Sequence, residues 1–396
     1  MFGQRPRDPA EARQRIVDGV TWSEFCDALK MAGMVVLRDG APSDPLTRAE
    51  GFRYLSRLLR AGLETFVEYA DPRAPVLQRP VHETAKMGAD NPDNHYQHAS
   101  ISGEHEYRIT GTRGTVHTLS FATQSGGYGE GRGLPSTGHL DAADMAIGPD
   151  GCFQIAVSVE PRSGNWLPMK PETGSLIVRQ TFGDRATERI AELRIERVGG
   201  NPLPTPVTPE AIDRGLGRAA ALVGGAAALF ANWAEGFRTH GNTLPQFDPA
   251  TSTAFGGDPN IAYYHSYWRV APDEALVIDA EPPDCQHWNF QLNNHWMESL
   301  DYRYFPVWVN KVTARYRPDG SVRIVVAHTD PDFPPNPPRG RANSLPAGPP
   351  QGAGAVNWID TVGHERGTMC FRWIRAASHP QPRTRLVKLA DVAGLP

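Results

Sequence analysis

The strongest constraint on the fold of this 396-residue chain is that it repeats itself. Asn91-Pro92-Asp93, followed by Tyr96 and His98, lines up with Asp258-Pro259-Asn260, followed by Tyr263 and His265, at an offset of 167 residues. Phe121 then meets Phe290, and the turn Pro149-Asp150-Gly151 meets Pro318-Asp319-Gly320, both at 169. Asn165-Trp166 meets Asn357-Trp358 at 192, and Arg179 meets Arg372 at 193. Matches that keep both order and register point to two related units. The jump of 23 between 169 and 192 falls on a Pro/Gly-rich stretch, Phe333 to Val356, which reads as an exposed, mobile insertion in the second unit. Two copies are too few for a solenoid or propeller, so each unit has to bury its own hydrophobic face.

Short alternating runs bounded by Gly, Pro, Asn and Asp mark strands in both units. Examples are Glu106 to Thr110, Thr115 to Thr123, Cys152 to Val159, Ser175 to Phe182 and Leu193 to Val198, with further strands from Ile261 to Ile374. Gly (39) and Pro (36) are abundant while hydrophobic residues stay at 40%, so the excess marks turns rather than disorder. Helices frame the units. Thr21-Trp-Ser-Glu24 and Thr47-Arg-Ala-Glu50 fit capping boxes, and Leu55, Leu59, Leu63 and Phe66 form an apolar stripe ending before Asp71-Pro72. Thr208 with Pro209 opens a second helical interval, with a break expected at Gly224-Gly225. The fold class is therefore a β-rich α+β chain: two related antiparallel β-sandwich or barrel units with an N-terminal helical segment and a helical linker. The expected division is a helical segment over 1–80, a first β-unit over 81–200, a helical linker over 201–250, a second β-unit over 251–377 carrying the insertion 333–356, and a C-terminal tail over 378–396.

The charge balance, 40 basic against 44 acidic residues for a net −4, with no run of five like charges, argues against nucleic acid or an anionic membrane as partner. The most apolar stretch, Ala219 to Ala231, is too short to span a bilayer. The first residues carry charges instead of an apolar core, and the four cysteines are widely spaced, so a cytoplasmic location is expected. Among partners, a small-molecule ligand is expected, and there is room for a homo-oligomer.

Candidate functional residues concentrate in the second unit. It holds six of the nine tryptophans, Trp268, Trp288, Trp296, Trp308, Trp358 and Trp373, with Tyr302 and other tyrosines: either an aromatic-lined pocket or a sandwich core. Strand parity over Gln286 to Leu292 puts Trp288 and Phe290 on one face and His287, Asn289 and Gln291 on the other, a polar row that Asn293 and His295 extend. That row reads as solvent-facing surface or as the lining of a polar cavity. Asp360, His364, Glu365 and Arg366 form the densest ionisable cluster, and the first unit has Pro168 and Glu172 where the second has Asp360 and His364. His328, Asp330 and His364 make an alternative two-His, one-carboxylate metal set. The glycine-dense run Gly126 to Gly133 follows no strand-to-helix crossover and reads as a flexible loop or lid.

Trp288-Asn-Phe-Gln-Leu292, Glu298-Ser-Leu-Asp301, His328-Thr-Asp-Pro331 and Asn357-Trp-Ile-Asp-Thr-Val-Gly-His364, with Gly367 and Arg372-Trp373, resemble the bacterial domain-of-unknown-function family numbered 1214, mainly over 263–375 and loosely over 91–182. The resemblance implies a two-lobed, β-rich bacterial protein and confers no activity. The insertion departs from the family pattern. The residues themselves lead to the functional expectation: an enzyme acting on a partly apolar or aromatic small molecule by cofactor-free acid/base chemistry, such as hydrolysis, elimination or isomerisation. His364 would transfer the proton, Asp360 orient it, and Arg366 or Arg372 hold an anionic group, with Trp288, His287, His295, Tyr302 and Trp358 contacting substrate. The alternatives are a non-catalytic binding or structural β-module, and a divalent-metal enzyme using His328, Asp330 and His364.

Overall fold

The computed structural model describes residues 8–131, 133–200, 203–331 and 356–395. The first unit supplies β1 (Asn94–Ser100), β2 (Tyr107–Thr112), β3 (Thr118–Gln124), β4 (Ser136–Asp141), β5 (Cys152–Ser158), β6 (Trp166–Pro168), β7 (Ser175–Thr181) and β8 (Glu192–Arg197). The second supplies β9 (Ile261–Arg269), β10 (Glu274–Ala280), β11 (Cys285–Leu292), β12 (Trp308–Asn310), β13 (Val322–Ala327), β14 (Asn357–Asp360), β15 (Arg366–Ala376) and β16 (Arg383–Lys388). The sheets run β1-β7-β3-β4 and β6-β5-β2-β8 in one unit, β9-β15-β11-β12 and β14-β13-β10-β16 in the other. Adding eight to each strand number converts the first pair of sheets into the second.

Register repeats as well as order. Tyr96 faces Arg179 as Tyr263 faces Arg372, and Phe121 faces Val178 as Phe290 faces Phe371. The parallel pair Ala156 with Trp166 recurs as Val325 with Trp358. The offsets read from the sequence are therefore structural equivalences. Each unit is an open sandwich, since no described sheet closes into a barrel. The segment expected as a tail carries β16, which pairs with β10 and matches β8, so 378–396 is sheet-forming. All of the insertion except Val356 lies outside the described residues.

Alternation explains the cores. In the first unit Leu119, Phe121, Leu176 and Val178 turn inward onto Ile109, Ile155 and Val157. In the second, Trp288, Phe290, Leu292, Phe371 and Trp373 turn onto Leu276, Ile278, Ile324 and Val326. Trp288 stacks on Phe371 at 5.6 Å and 11°. An aromatic side chain buries 150–250 Å², worth roughly 4–6 kcal/mol at about 25 cal/mol per Å² before entropy is counted.

The helices are α1 (Pro9–Val17), α2 (Val20–Leu37), α3 (Pro45–Leu63), α4 (Pro209–Phe237) and α5 (Pro249–Ala254). Thr208 caps α4 by accepting from the Ala211 N–H, with Pro209 at the first helical position. Neither expected capping box forms. α2 starts after Gly19, and the Thr21 hydroxyl bonds Asp213 of α4 instead. α3 is capped by Asp44, whose carboxylate accepts from the Thr47 N–H and hydroxyl. Leu55, Leu59, Leu63 and Phe66 are half-buried flanks of the fully buried line Gly51, Tyr54, Leu58 and Ala61.

α4 runs unbroken through Gly224-Gly225. A Cβ at Gly225 would lie 2.3 Å from the Gly129 backbone, so the glycine serves close approach of the 126–133 loop rather than a break. That loop is docked: Gly127 and Leu134 N–H groups bond the carbonyls of Gly133 and Ala254. α2, α3 and α4 share a core through Val36, Tyr54, Leu58, Val223, Ala227 and Phe230, to which the second unit contributes Tyr267, Trp296, Met297 and Cys370. No helix among the described residues is long and apolar enough to cross a membrane.

Candidate functional site

The structure separates the residues that the sequence grouped. Trp288 is fully buried in the second core, its indole N–H donating to Tyr316 Oη at 3.2 Å, and offers a ligand no surface. Trp358 packs on the other face of its sheet, against Val277 and Val392, with its N–H on the Ala327 carbonyl at 3.0 Å. Tyr302 is buried beneath the Lys86 ammonium, 4.6 Å from the ring centre. Asp360 does not orient His364: its Oδ1 accepts from the Val362 N–H, closing its own turn.

His364 has no free ring nitrogen. Nε2 lies 3.0 Å from Glu50 Oε1 on α3, and Nδ1 lies 2.9 Å from the Thr361 carbonyl. Burial pulls its pKa down, but the hydrogen bond and charge of Glu50 outweigh that and raise it. Arg366 is partly exposed, with Glu365 at 3.9 Å. His328 is likewise engaged on both nitrogens, by the Val270 carbonyl and the Thr361 hydroxyl, while Asp330 lines an open cleft with Asp273, Pro331, Lys388 and Leu389. Among the described residues no three His, Cys, Asp or Glu side chains converge as a metal ion requires.

The polar row is enclosed, not solvated. His287, Asn289, Gln291 and Asn293 are 0% exposed, and the first unit covers His287, Asn289 and Gln291 with the segment Ala89 to Asp93, while His295, 2% exposed, is enclosed by Tyr267 and Trp296. Asn289 donates to Asn91 Oδ1 at 2.8 Å, Gln291 donates to the Asp90 carbonyl at 2.8 Å, and His287 Nε2 stands 3.2 Å from Asp93 Oδ2. Asp93 Oδ1 also accepts from the Trp308 and Asn310 side chains. Buried polar groups persist when their partners are built in, so most of the row is glue between units.

Arg372, on β15 opposite Asn289, belongs to a different assembly. Its Nη2 donates to the Ala89 carbonyl at 2.5 Å, and the equivalent Arg179 Nη2 donates to the Gly256 carbonyl at 2.9 Å. Ala89 and Gly256 are themselves repeat equivalents, both with left-handed backbone (φ 55° and 90°) that turns the carbonyl across to the opposite unit. The Tyr96 hydroxyl accepts from the Asn91 N–H, and the Tyr263 hydroxyl from the Asp258 N–H. Each unit thus grips the other's Asn/Asp loop in the same way, about a pseudo-two-fold axis.

Around that axis gather Tyr96, His98 and Arg179 from one unit and Tyr263, His265 and Arg372 from the other, with Tyr128 brought in by the glycine-rich loop. Tyr128 packs edge-on against Phe230 and donates to the Phe255 carbonyl at 3.1 Å. Tyr96, His98, Tyr128 and Tyr263 are each half-buried and keep some accessible surface where the two units meet. Two ring nitrogens there, His98 Nε2 and His265 Nδ1, have no hydrogen-bond partner among the described residues. His265 is stacked against Tyr263 at 5.8 Å and Phe237 at 5.3 Å, which fixes the ring plane.

Burial, reinforced by the neighbouring arginine and only partly offset at His265 by a hydrogen bond with the Met369 backbone, lowers both imidazoles to about 3, so they are neutral at physiological pH. Burial likewise pushes the Cys370 thiol, 3.9 Å from His265 Nε2, up to about 11, which leaves it protonated and a poor nucleophile. Tyr263 and Tyr128 are pushed up to about 12 by burial and remain hydroxyls. The cluster therefore combines neutral hydrogen-bonding groups, aromatic rings and two guanidinium groups. Tyr96, His98, Tyr263, His265 and the two arginines were visible in the sequence as repeat markers; that shared positions meet on an axis was the signal of a site. Tyr128 carried no such signal.

No family model and no curated protein matches the chain. Among solved structures it is similar to an uncharacterised protein from Burkholderia cenocepacia, at 52% identity and a TM-score of 0.88 over 96% of this chain and 99% of that one. A Vibrio parahaemolyticus protein aligns at 12% identity and a TM-score of 0.46 over 85% of this chain and 98% of that one, too weak a likeness to carry an argument.

Proposed function

Because the chain belongs to one family with the Burkholderia cenocepacia protein, itself uncharacterised, we propose a function from the site alone: the protein binds a small molecule in the space between its two units. Tyr96, Tyr128 and Tyr263 would enclose an apolar or aromatic body, and His98 and His265 would read a polar group by hydrogen bonding. The observation that carries this is the pair of buried, unpartnered nitrogens, His98 Nε2 and His265 Nδ1, on repeat-equivalent residues beside the half-buried Tyr96, Tyr128 and Tyr263. A buried ring nitrogen without a partner costs about 1–3 kcal/mol, which a ligand hydrogen bond recovers.

Binding is favoured over catalysis by the same chemistry. Imidazoles held near 3 do not exchange protons at neutral pH, and the one histidine with a raised pKa, His364, has both nitrogens occupied. The test is crystallographic fragment soaking, with thermal shift on wild type, His98→Phe and His265→Phe. Fragments ordered between the units, with shifts lost in both variants, support the reading. Fragments found only in the outer cleft beside Asp273 and Lys388, with shifts intact in both variants, would sink it.

A further inference from the structure

We infer that the molecule bound between the units is an organic monoanion, a carboxylate on an apolar or aromatic body, whose charge is received by Arg372; this rests on the binding reading above. Arg372 is 4% exposed. Its acceptors among the described residues are all neutral: Asn289 Oδ1 at 3.3 Å, Gln291 Oε1 at 2.6 Å and the Ala89 carbonyl. No carboxylate of the described residues lies within ion-pair distance of it. Asp93 and Asp90 lie in its field without touching it, and the Asp93 oxygens are taken up by His287, Trp308 and Asn310. The Asp90 oxygens are taken up by the Ser299 N–H and hydroxyl. A guanidinium does not shed its proton, so the fold holds a buried positive charge with no carboxylate in direct contact.

The repeat shows what is missing. Arg179, the equivalent residue, has Asp258 Oδ2 at 3.9 Å from Nη1, and His139 shares that carboxylate at 3.7 Å. The position equivalent to Asp258 is Asn91, an uncharged isostere of the same shape. One arginine of the pair is neutralised by the protein and the other is left open. The site therefore presents one guanidinium with no carboxylate against it, which favours a ligand carrying a single anionic group. Guanidinium groups pair with carboxylates in a planar, directional geometry, and the Arg372 guanidinium already lies over the Tyr263 ring, 5.6 Å from its centre, so a carboxylate there would bring its attached body against the aromatic wall.

The experiment uses the full chain with benzoate as probe and benzamide, its neutral isostere, as control, read by calorimetry and thermal shift. Benzoate should bind and raise the melting temperature while benzamide does neither. Asn91→Asp, which supplies the missing carboxylate and leaves Arg372 in place, should weaken benzoate at least about 10-fold without lowering the melting temperature of the unliganded protein. Arg372→Gln should weaken it about 10- to 100-fold, the worth of a charge-assisted hydrogen bond; should that variant fail to fold, Asn91→Asp carries the test. Equal binding of benzoate and benzamide, or benzoate binding unchanged in Asn91→Asp, would overturn the anion inference and leave the binding site standing. Absence of binding by acetate, hexanoate, benzoate and their amides alike, with no fragment ordered between the units, would overturn both.

Discussion

In the first unit the sheet face turned toward the axis is built from small side chains, Thr118, Ser120 and Ala122; the equivalent positions of the second hold His287, Asn289 and Gln291. The longer amides reach out to the Ala89 to Asp93 segment and lock it down, whereas the first unit's face leaves its arginine to be held by the opposing loop and Asp258. A duplicated scaffold thus delivers two equivalent arginines to one axis, and a few side-chain differences decide that one meets a carboxylate, Asp258, while the other meets only neutral acceptors. Burial of charge, rather than strand topology, distinguishes the two halves.

The largest expected effect comes from breaking the neutralised side. Arg179→Met leaves Asp258 buried with His139 alone, and breaking a buried pair by removing one partner costs about 3–5 kcal/mol. Arg372→Met removes a charge that has no carboxylate in contact, at the expense of donors to three neutral acceptors, so a smaller loss of about 1–2 kcal/mol is expected. Urea denaturation ranks the two. A larger loss for Arg372→Met would mean that its charge is compensated within the fold after all.

Next in size is the pH dependence of the two central imidazoles. His98 and His265 are depressed from about 6.5 to about 3 by burial and by Arg179 and Arg372 respectively. In the unfolded chain they protonate below about 6.5, while in the fold they stay neutral until about 3, so their contribution is complete above 6.5 and is lost as pH falls from 6.5 toward 3. Between pH 7 and pH 5 each imidazole removes on the order of 2 kcal/mol. His98→Gln and His265→Gln should each flatten the pH–stability curve by about that amount. One flattening without the other would show that the two halves do not bury their histidines alike.

A third comparison sets the two equivalent connections against each other. The β3–β4 loop docks on α4 where Gly225 meets the Gly129 backbone; the β11–β12 loop docks on α3 where Gly51 meets the Trp296 ring, whose N–H donates to the Thr47 carbonyl at 2.8 Å. Alanine gains about 1 kcal/mol over glycine in a helix interior, but overpacking costs about 1–3. At Gly225 the added methyl would meet backbone at 2.3 Å, against side-chain atoms at 2.8 Å at Gly51. Gly225→Ala should therefore cost a net 1–2 kcal/mol and weaken ligand binding by displacing Tyr128, while Gly51→Ala should be close to neutral. Thermal unfolding of both variants, with benzoate titration of the first, checks the order.

These comparisons also show what the sequence made legible. Five short matches were enough to show that the two units are equivalent position by position, because turns and cross-strand partners travel together in a duplication; the strand order within each sandwich came only from the structure. Strand parity separated Trp288 and Phe290 from His287 and Asn289, but parity only says that the second group lies on the other face; it does not say that the other face is covered by a second unit. That cover comes from residues about 200 positions away in the chain, as Asn289 to Asn91 illustrates. The same distance hid the partner of His364: Glu50, 314 residues earlier, takes the place given to Asp360 four residues away. The glycines of 126–133 and 224–225 read as mobility and breakage because their use, mutual close approach, needs both segments in view.

The smallest expected effect concerns His364 itself, against its first-unit equivalent Glu172, which is exposed. His364 is largely buried and joins α3 to the β14–β15 turn through Glu50, with its pKa raised by that partner. The stabilisation from this pair is fully present below the ordinary imidazole value of about 6.5 and is lost as pH rises through the raised folded value. His364→Gln should therefore cost about 1 kcal/mol at pH 6, in the range of a partly buried ion pair, with the difference from wild type shrinking toward pH 9. Glu172→Gln should stay within about 0.5 kcal/mol at both pH values. Benzoate-induced stabilisation should survive in both variants, since neither residue reaches the axis. If His364→Gln kept its full stability at pH 6 but lost the response to benzoate, the ligand would have to sit at the helix junction beside Glu50 and Arg366, and the contrast between the two arginines would no longer explain what the second unit has that the first lacks.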